Sequence, residues 1–104
     1  MRYLQVFVTI DSQEKAENIA KSVVEMKLAA CAQVSGPIKS FYWWQGKVEH
    51  SDEWYIILKT TDEKFDQLEK TIKELHPYKV PEIIAHEIIN ANKDYLDWIK
   101  ETLS

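Results

Sequence analysis

The sequence has 104 residues and a formal net charge of −4, from 13 Lys and Arg against 17 Asp and Glu. This length suits one domain, residues 1–104, and the acidic balance disfavours nucleic acid as a partner because its phosphates need a basic surface. The single cysteine excludes a disulfide within the chain, and no segment approaches the roughly 20 apolar residues of a membrane span.

The first predicted element is a strand over residues 3–10, where β-branched and apolar residues alternate with other side chains. Because this pattern begins at once, without a continuous apolar signal segment, we expect a cytoplasmic protein. Asp11 followed by Glu14 resembles a capping box, which predicts the start of a helix. Apolar residues then recur at helical spacing from Ala16 to Val24, so the helix should end near residues 26–28.

The middle of the chain is predicted to form a long hairpin. Residues 29–34 and 38–44 have strand character, and Gly36-Pro37 between them indicates a bulge or turn. Gln45-Gly46 suits a tight hairpin turn because glycine tolerates a positive φ. Residues 48–60 then read as the returning strand.

The last third predicts a helix, a strand and a final helix. Thr60 with Glu63 is a second capping-box pattern, and apolar residues at helical spacing continue to Leu75 before Pro77 ends the helix. Residues 83–89 read as a last core strand, with Pro81 at its edge. Asn90 or Asn92 is a candidate cap for the final helix. The resulting β-α-β-β-α-β order predicts an α+β fold, a ferredoxin-like sandwich with an added C-terminal helix.

The hairpin also predicts an oligomer. Residues 30–44 span about 50 Å at about 3.3 Å per residue, whereas a 100-residue domain has a radius of gyration of about 13 Å. Its projecting end carries the consecutive aromatic residues 41–44, and such an exposed patch usually marks an interface. The alternative is that these rings pack on the C-terminal helix through Tyr95 and Trp98.

No standard catalytic motif is present, so we predict a protein that is not an enzyme. Cys31 is interpreted as a small buried hydrophobic residue, with metal binding as the alternative. His50 and His86 are interpreted as structural or solvent-facing, and His76 either caps the second helix or serves a site.

The fold places the hairpin tip and the end of the second helix at the same end of the sheet, opposite Cys31. Side chains of the tip are therefore expected to approach the segment after the second helix in a neighbouring subunit. This predicts an intersubunit cleft for a small ligand or a metal ion. Its predicted ligand-binding residues are Tyr42, Trp44, Lys47 and Tyr78, and its predicted metal ligands are His76 and Glu82.

Two segments carry a family resemblance. Residues 40–49, Ser-Phe-Tyr-Trp-Trp-Gln-Gly-Lys-Val-Glu, and residues 76–85, His-Pro-Tyr-Lys-Val-Pro-Glu-Ile-Ile-Ala, are similar to segments of the CutA family, linked to divalent-cation tolerance. Shorter matches extend in order over nearly the whole chain. The resemblance implies a ferredoxin-like homotrimer like that of the PII signalling proteins, and an association with copper or other divalent metals.

The expected function is therefore divalent-cation tolerance through metal binding without catalysis. The alternative is a PII-like regulator that binds a small ligand or a partner protein in its intersubunit clefts. Lys79 stands where glutamate is usual in the resembling family, which weakens the case for a carboxylate metal site. His86-Glu87 and Ala32-Gln33 also depart from the family pattern.

Overall fold

The computed structural model describes all 104 residues, in seven elements. These are strand β1 (Tyr3–Ile10), helix α1 (Gln13–Glu25), strands β2 (Cys31–Trp44) and β3 (Lys47–Thr61), helix α2 (Asp62–Leu75), strand β4 (Ile83–Glu87) and helix α3 (Lys93–Leu103). The predicted order of elements is confirmed. None of the three helices has the length and apolar character needed to cross a membrane.

The four strands form one antiparallel sheet in the order β2-β3-β1-β4. This order, with α1 and α2 as the crossovers, is the ferredoxin-like arrangement predicted from the sequence. Alternation along β1 places Leu4, Val6, Val8 and Ile10 on one face, where all four are buried. Side chains from α1, α2 and β3 complete this core, so the two crossover helices cover one face of the sheet.

Both predicted helix starts require correction. Ser12 rather than Asp11 caps α1, because its Oγ accepts a hydrogen bond of 3.2 Å from the Lys15 N–H. Helix α2 begins at Asp62, and Thr60 donates its hydroxyl to the Leu28 carbonyl at 2.7 Å instead of capping the helix. The buried Leu28 carbonyl therefore takes the hydroxyl that the local pattern assigned to the start of the helix.

Helix α3 covers only one end of the opposite face of the sheet. Ile99 and Leu103 pack there with Ala30, against the partly buried Tyr3 and Tyr95. The rest of this face carries aromatic and apolar side chains, of which Phe7, Tyr55 and Ile57 are partly buried and Ile84 is exposed. One chain thus leaves part of this face without a covering layer.

Strand β4 is an edge strand rather than the predicted core strand. It ends at Glu87, two residues earlier than predicted, and four of its five side chains are exposed in the single chain. Apolar character alone suggested burial, but β4 pairs only with β1 and no helix covers its outer side.

The hairpin of β2 and β3 projects from the sheet, as predicted, and the molecule measures 45 × 25 × 22 Å. A register shift between Ser35 and Ile38 marks the predicted bulge, and Gln45 and Gly46 form the turn with φ values of 50° and 78°. Phe41, Trp43 and Trp44 are 69%, 76% and 60% exposed. The alternative prediction, that these rings pack on α3, is therefore wrong. Tyr95 and Trp98 of that helix instead stack on each other, with ring centroids 5.6 Å apart.

Candidate functional site

A cavity of about 730 Å³ lies between the hairpin and the segment that follows α2. Its volume is within the range of small-molecule sites, about 300–1,000 Å³. Two residues come from the end of β1, six from the hairpin and four from the segment 78–82. The lining residues are Thr9, Asp11, Ser40, Phe41, Tyr42, Trp44, Ser51, Glu53, Tyr78, Lys79, Val80 and Glu82.

The hairpin wall follows from strand alternation. Ser40, Tyr42 and Trp44 are two residues apart along β2, so their side chains share one face. Ser40 pairs with Ser51 in the ladder, which places Ser51 and then Glu53 of β3 on the same face. The Tyr42 hydroxyl donates to Ser51 Oγ at 3.3 Å, which links the two strands across the wall.

His76 holds the opposite wall in position from behind. Its ring is buried, and its Nε2 lies 2.8 Å from the Thr9 carbonyl oxygen, while its Nδ1 accepts a hydrogen bond of 3.1 Å from the Tyr78 N–H. Because a carbonyl can only accept, the proton resides on Nε2 and Nδ1 is the acceptor. The imidazole therefore ties the segment after α2 to the end of β1.

Glu53 and Tyr78 join the two walls. The Tyr78 hydroxyl donates to Glu53 Oε2 at 2.7 Å, and Glu53 is only 7% exposed. Partial burial of the phenol raises the pKa of Tyr78 above its ordinary value near 10, and the adjacent Glu53 and Asp11 carboxylates raise it further. The phenol thus remains protonated and donates its hydrogen bond throughout the neutral range.

Alkaline titration should reveal this bond. The chain has five tyrosines, and we expect Tyr78 to ionise at a higher pH than those whose pKa is ordinary. Glu53→Gln should lower the pKa of Tyr78, because it removes a negative charge beside the phenol. Because the folded-state pKa exceeds the unfolded value, the stabilisation is complete below about pH 10 and is lost as pH rises further. Ultraviolet absorbance of phenolate measures the titration, with Tyr78→Phe identifying the transition. An unshifted late transition in Glu53→Gln would contradict this assignment.

The structure brings together four of the six predicted site residues within one chain: Tyr42, Trp44, Tyr78 and Glu82. The predicted part of a neighbouring subunit in this cleft stays a prediction. Lys47 pairs with Trp44 at the hairpin turn and shares its face of the hairpin, but it does not line the cavity, to which β3 contributes only Ser51 and Glu53. His76 lies behind the wall, with both ring nitrogens hydrogen-bonded.

Sequence reasoning missed Asp11 and Glu53 as cavity residues. Glu53 lies at the boundary between the polar run of β3 and its apolar half, where residue type alone indicates neither a site nor burial. Its alternation with Tyr55 and Ile57 was the available signal, because it put a carboxylate on the same face as an aromatic surface.

The remaining histidines and the cysteine lie outside the cavity. His50 stands beside Phe41 with ring centroids 5.8 Å apart, and His86 meets the Phe7 ring edge-on at 5.7 Å. Cys31 is partly buried at the start of β2 beside Tyr95, whose pKa is raised first by burial and then by the Cys31 thiol. No group of three or more His, Cys, Asp or Glu side chains in the chain is arranged to hold a metal ion.

The chain was compared with known proteins and structures. Residues 4–102 match the family model of the CutA1 divalent ion tolerance protein. A divalent-cation tolerance protein CutA of Thermus thermophilus is 45% identical over 96 residues, which covers 92% of this chain and 93% of the relative. A relative of the same name from Archaeoglobus fulgidus is 46% identical over 98 residues, covering 94% and 95% of the two chains.

Solved structures agree with this result. The structure of CutA from Archaeoglobus fulgidus, which is described as periplasmic, superposes with a TM-score of 0.95 at 44% identity and covers 98% of this chain and 99% of the other. CutA1 from Oryza sativa superposes with a TM-score of 0.97 at 38% identity, covering 100% and 95%. The match extends over the hairpin, the segment after α2 and the helices alike, and the chain therefore belongs to the CutA1 family of divalent ion tolerance proteins.

Proposed function

We propose that this chain acts as a homotrimeric divalent-cation tolerance protein that binds copper or another divalent metal without catalysing a reaction. The observation that carries the proposal is the combination of an acidic cavity with unpartnered apolar surfaces on the same hairpin. The first supports binding of a cation, and the second supports assembly. The name shared by the relatives, divalent-cation tolerance, agrees with both parts.

Three surfaces support assembly. The hairpin carries exposed aromatic rings, the sheet face beyond α3 is only partly covered, and β4 presents an unpaired outer edge. A free edge and a large apolar patch are liabilities in a monomer, because both promote contact with other chains. A closed ring of copies would cover all three surfaces at once. The trimer is the state that the family resemblance implied.

Metal binding requires ligands from more than one chain or from a rearranged one. Glu82 lines the cavity and forms no ion pair within the chain, so its carboxylate is free to bind a cation. His76 would contribute Nδ1 only after its hydrogen bond with the Tyr78 N–H opens. We therefore place the proposed metal at the cleft with Glu82 as the first ligand and His76 as a conditional second.

Calorimetric titration with copper and zinc tests this proposal. We expect Glu82→Gln to weaken divalent-metal binding by roughly tenfold, because a neutral amide oxygen is a poorer ligand than a carboxylate. His76→Ala separates the conditional ligand from the first one. Glu101→Gln, on the exposed side of α3, is the matched control and should bind as the unmodified protein does. Unchanged affinity in Glu82→Gln would place the metal elsewhere.

A second candidate function is PII-like regulation through a small ligand in the same cleft. The size of the cavity and its aromatic walls favour this candidate, because a metal ion alone needs neither. A panel of metabolites screened by thermal shift distinguishes the two. A ligand present at 100 times its dissociation constant adds about 2.7 kcal/mol to the free energy of unfolding.

The proposal also includes the setting in which the protein works. A cytoplasmic location fits the single free cysteine, which a reducing compartment would keep as a thiol. Nucleic acid is not proposed as a partner, because the formal charge of −4 opposes binding to phosphates.

A further inference from the structure

The charges around the cavity favour a positively charged ligand. Asp11, Glu53 and Glu82 line the cavity together with a single cationic side chain, Lys79. Only Asp11 has an ion-pair partner, the exposed Lys15 at 3.8 Å, so Glu53 and Glu82 are not neutralised within the chain. An anionic ligand would face three carboxylates in a cleft that is open to solvent, at a Coulomb cost that a cation would not meet.

The walls of the cavity are aromatic. Tyr42 and Trp44 contribute rings from one face of the hairpin, and Tyr78 contributes one from the facing segment, whereas the Phe41 ring lies on the other face of the hairpin beside His50. Aromatic faces attract cations through the ring quadrupole, and aromatic cages recognise quaternary ammonium groups in this way. Hydrated metal ions gain little from such walls, whereas an organic cation gains contact for both its charge and its apolar body.

Glu53 is already positioned for such a ligand. Its Oε2 accepts the Tyr78 hydroxyl at 2.7 Å. No buried side-chain oxygen of the chain lacks a hydrogen-bond partner, so Oε1, which accepts no hydrogen bond within the chain, is open to solvent. A ligand ammonium group beside this oxygen would replace solvent and pair with the negative charge.

We infer that the cleft binds a small organic cation, namely a protonated amine or quaternary ammonium group carried on a flat apolar body. The inference rests on the second candidate function, a small-ligand cleft, and names the chemistry of its ligand. Glu53 supplies the counter-charge, and the rings of Tyr42, Trp44 and Tyr78 enclose the cation. Lys79 lowers the affinity by adding a like charge at the rim.

Benzyltrimethylammonium chloride is a suitable probe, measured by calorimetry and by tryptophan fluorescence on the intact protein. Benzyl alcohol is the neutral counterpart, and sodium benzoate is the anionic one. We expect the cation to bind at least about tenfold more tightly than benzyl alcohol and benzoate to bind more weakly still. Equal affinities for the cation and the alcohol, or tighter binding of benzoate, would overturn the inference.

Two variants locate the interaction. Glu53→Gln keeps an acceptor for the Tyr78 hydroxyl but removes the charge, so cation affinity should fall by about tenfold while benzyl alcohol binding stays unchanged. Lys79→Glu, at an exposed position, should tighten cation binding, and it provides the decisive test if Glu53→Gln does not fold. Glu101→Gln removes the same charge outside the cleft, so it is the control for a change of net charge and should leave cation affinity unchanged. Cation affinity that does not respond to Lys79→Glu contradicts the proposed location.

The outcome is separable from that of the metal proposal. Binding of benzyltrimethylammonium without any binding of copper or zinc would remove the metal function and leave this inference standing. Binding of metal without binding of benzyltrimethylammonium would overturn this inference and leave the metal function standing.

Discussion

Trp43→Asp is expected to convert the proposed trimer into a folded monomer. Light scattering should give about three times 12.2 kDa for the unmodified protein and about 12.2 kDa for the variant. Trp43 is the most exposed ring of the hairpin in the single chain, so its own chain does not need it to fold. Loss of a central aromatic residue of an interface typically costs about 2 kcal/mol or more, and a buried aspartate adds a desolvation cost.

The control for this experiment is Lys21→Asp, which lowers the charge by two where Trp43→Asp lowers it by one, on the exposed side of α1, a helix that packs against the sheet and offers no apolar patch. It should leave the mass unchanged. A monomeric unmodified protein would contradict the assembly altogether. A variant Trp43→Asp that remains trimeric would exclude the hairpin tip and leave the partly covered sheet face around Phe7 and Ile57 as the interface.

The fold was predictable because its signals are local. Alternation in residues 3–10, helical spacing in the two crossover segments and the Gln45-Gly46 turn each depend on neighbours within one element. The connection rules then leave few ways to arrange β-α-β-β-α-β. Helix starts were less predictable. Ser12 and Asp11 are both good caps for α1, and the Thr60 hydroxyl donates its hydrogen bond to the distant Leu28 carbonyl instead of capping α2.

The candidate site was predictable only in part. Its aromatic residues on the hairpin belong to a consecutive aromatic segment, residues 41–44, which is easily seen in the sequence. The predicted topology placed the hairpin and the end of α2 at one end of the sheet. The roles of His76 and Glu53 depend on partners 67 and 25 residues away, Thr9 and Tyr78, and on which face of a twisted ribbon each side chain occupies. Residue type suggested a metal ligand for His76, and its hydrogen bonds to Thr9 and Tyr78 add a part in holding the cleft wall that residue type does not indicate.

Charge in the cleft illustrates the same limit. The predicted site residues include the cation Lys47 and the anion Glu82, so residue type alone does not fix the sign of the charge at the cleft. The register puts Lys47 on the wall face opposite Trp44, but at the turn and outside the cavity lining. The three carboxylates that line the cavity, Asp11, Glu53 and Glu82, come from separate segments of the chain, and no single-residue pattern contains their encounter.

The bulge at Gly36 links the stability of the fold to the geometry of the cleft, and Gly36→Ala should be strongly destabilising. The φ of Gly36 is 156°, which side chains rarely tolerate, and a Cβ there would lie 2.6 Å from Trp54 Cδ1 and 3.0 Å from the Glu53 carbonyl oxygen. Overpacking together with backbone strain costs about 3 kcal/mol. Chemical denaturation at a fixed protein concentration measures the loss, since assembly makes stability concentration-dependent.

Gly46→Ala is the matched control for Gly36→Ala, because Gly46 also has a positive φ, 78°, but a Cβ there meets nothing within 4 Å. It should cost only about 1 kcal/mol of backbone strain. The difference between the two variants isolates the collision with Trp54 and Glu53. Since that collision displaces the strand that carries the cleft carboxylate, Gly36→Ala should also weaken binding of benzyltrimethylammonium, whereas Gly46→Ala should not. Equal losses of stability in the two variants would show that the close contact of Gly36 with Trp54 and Glu53 does not constrain the hairpin. The direction of the hairpin would then be set by the contacts of its tip instead.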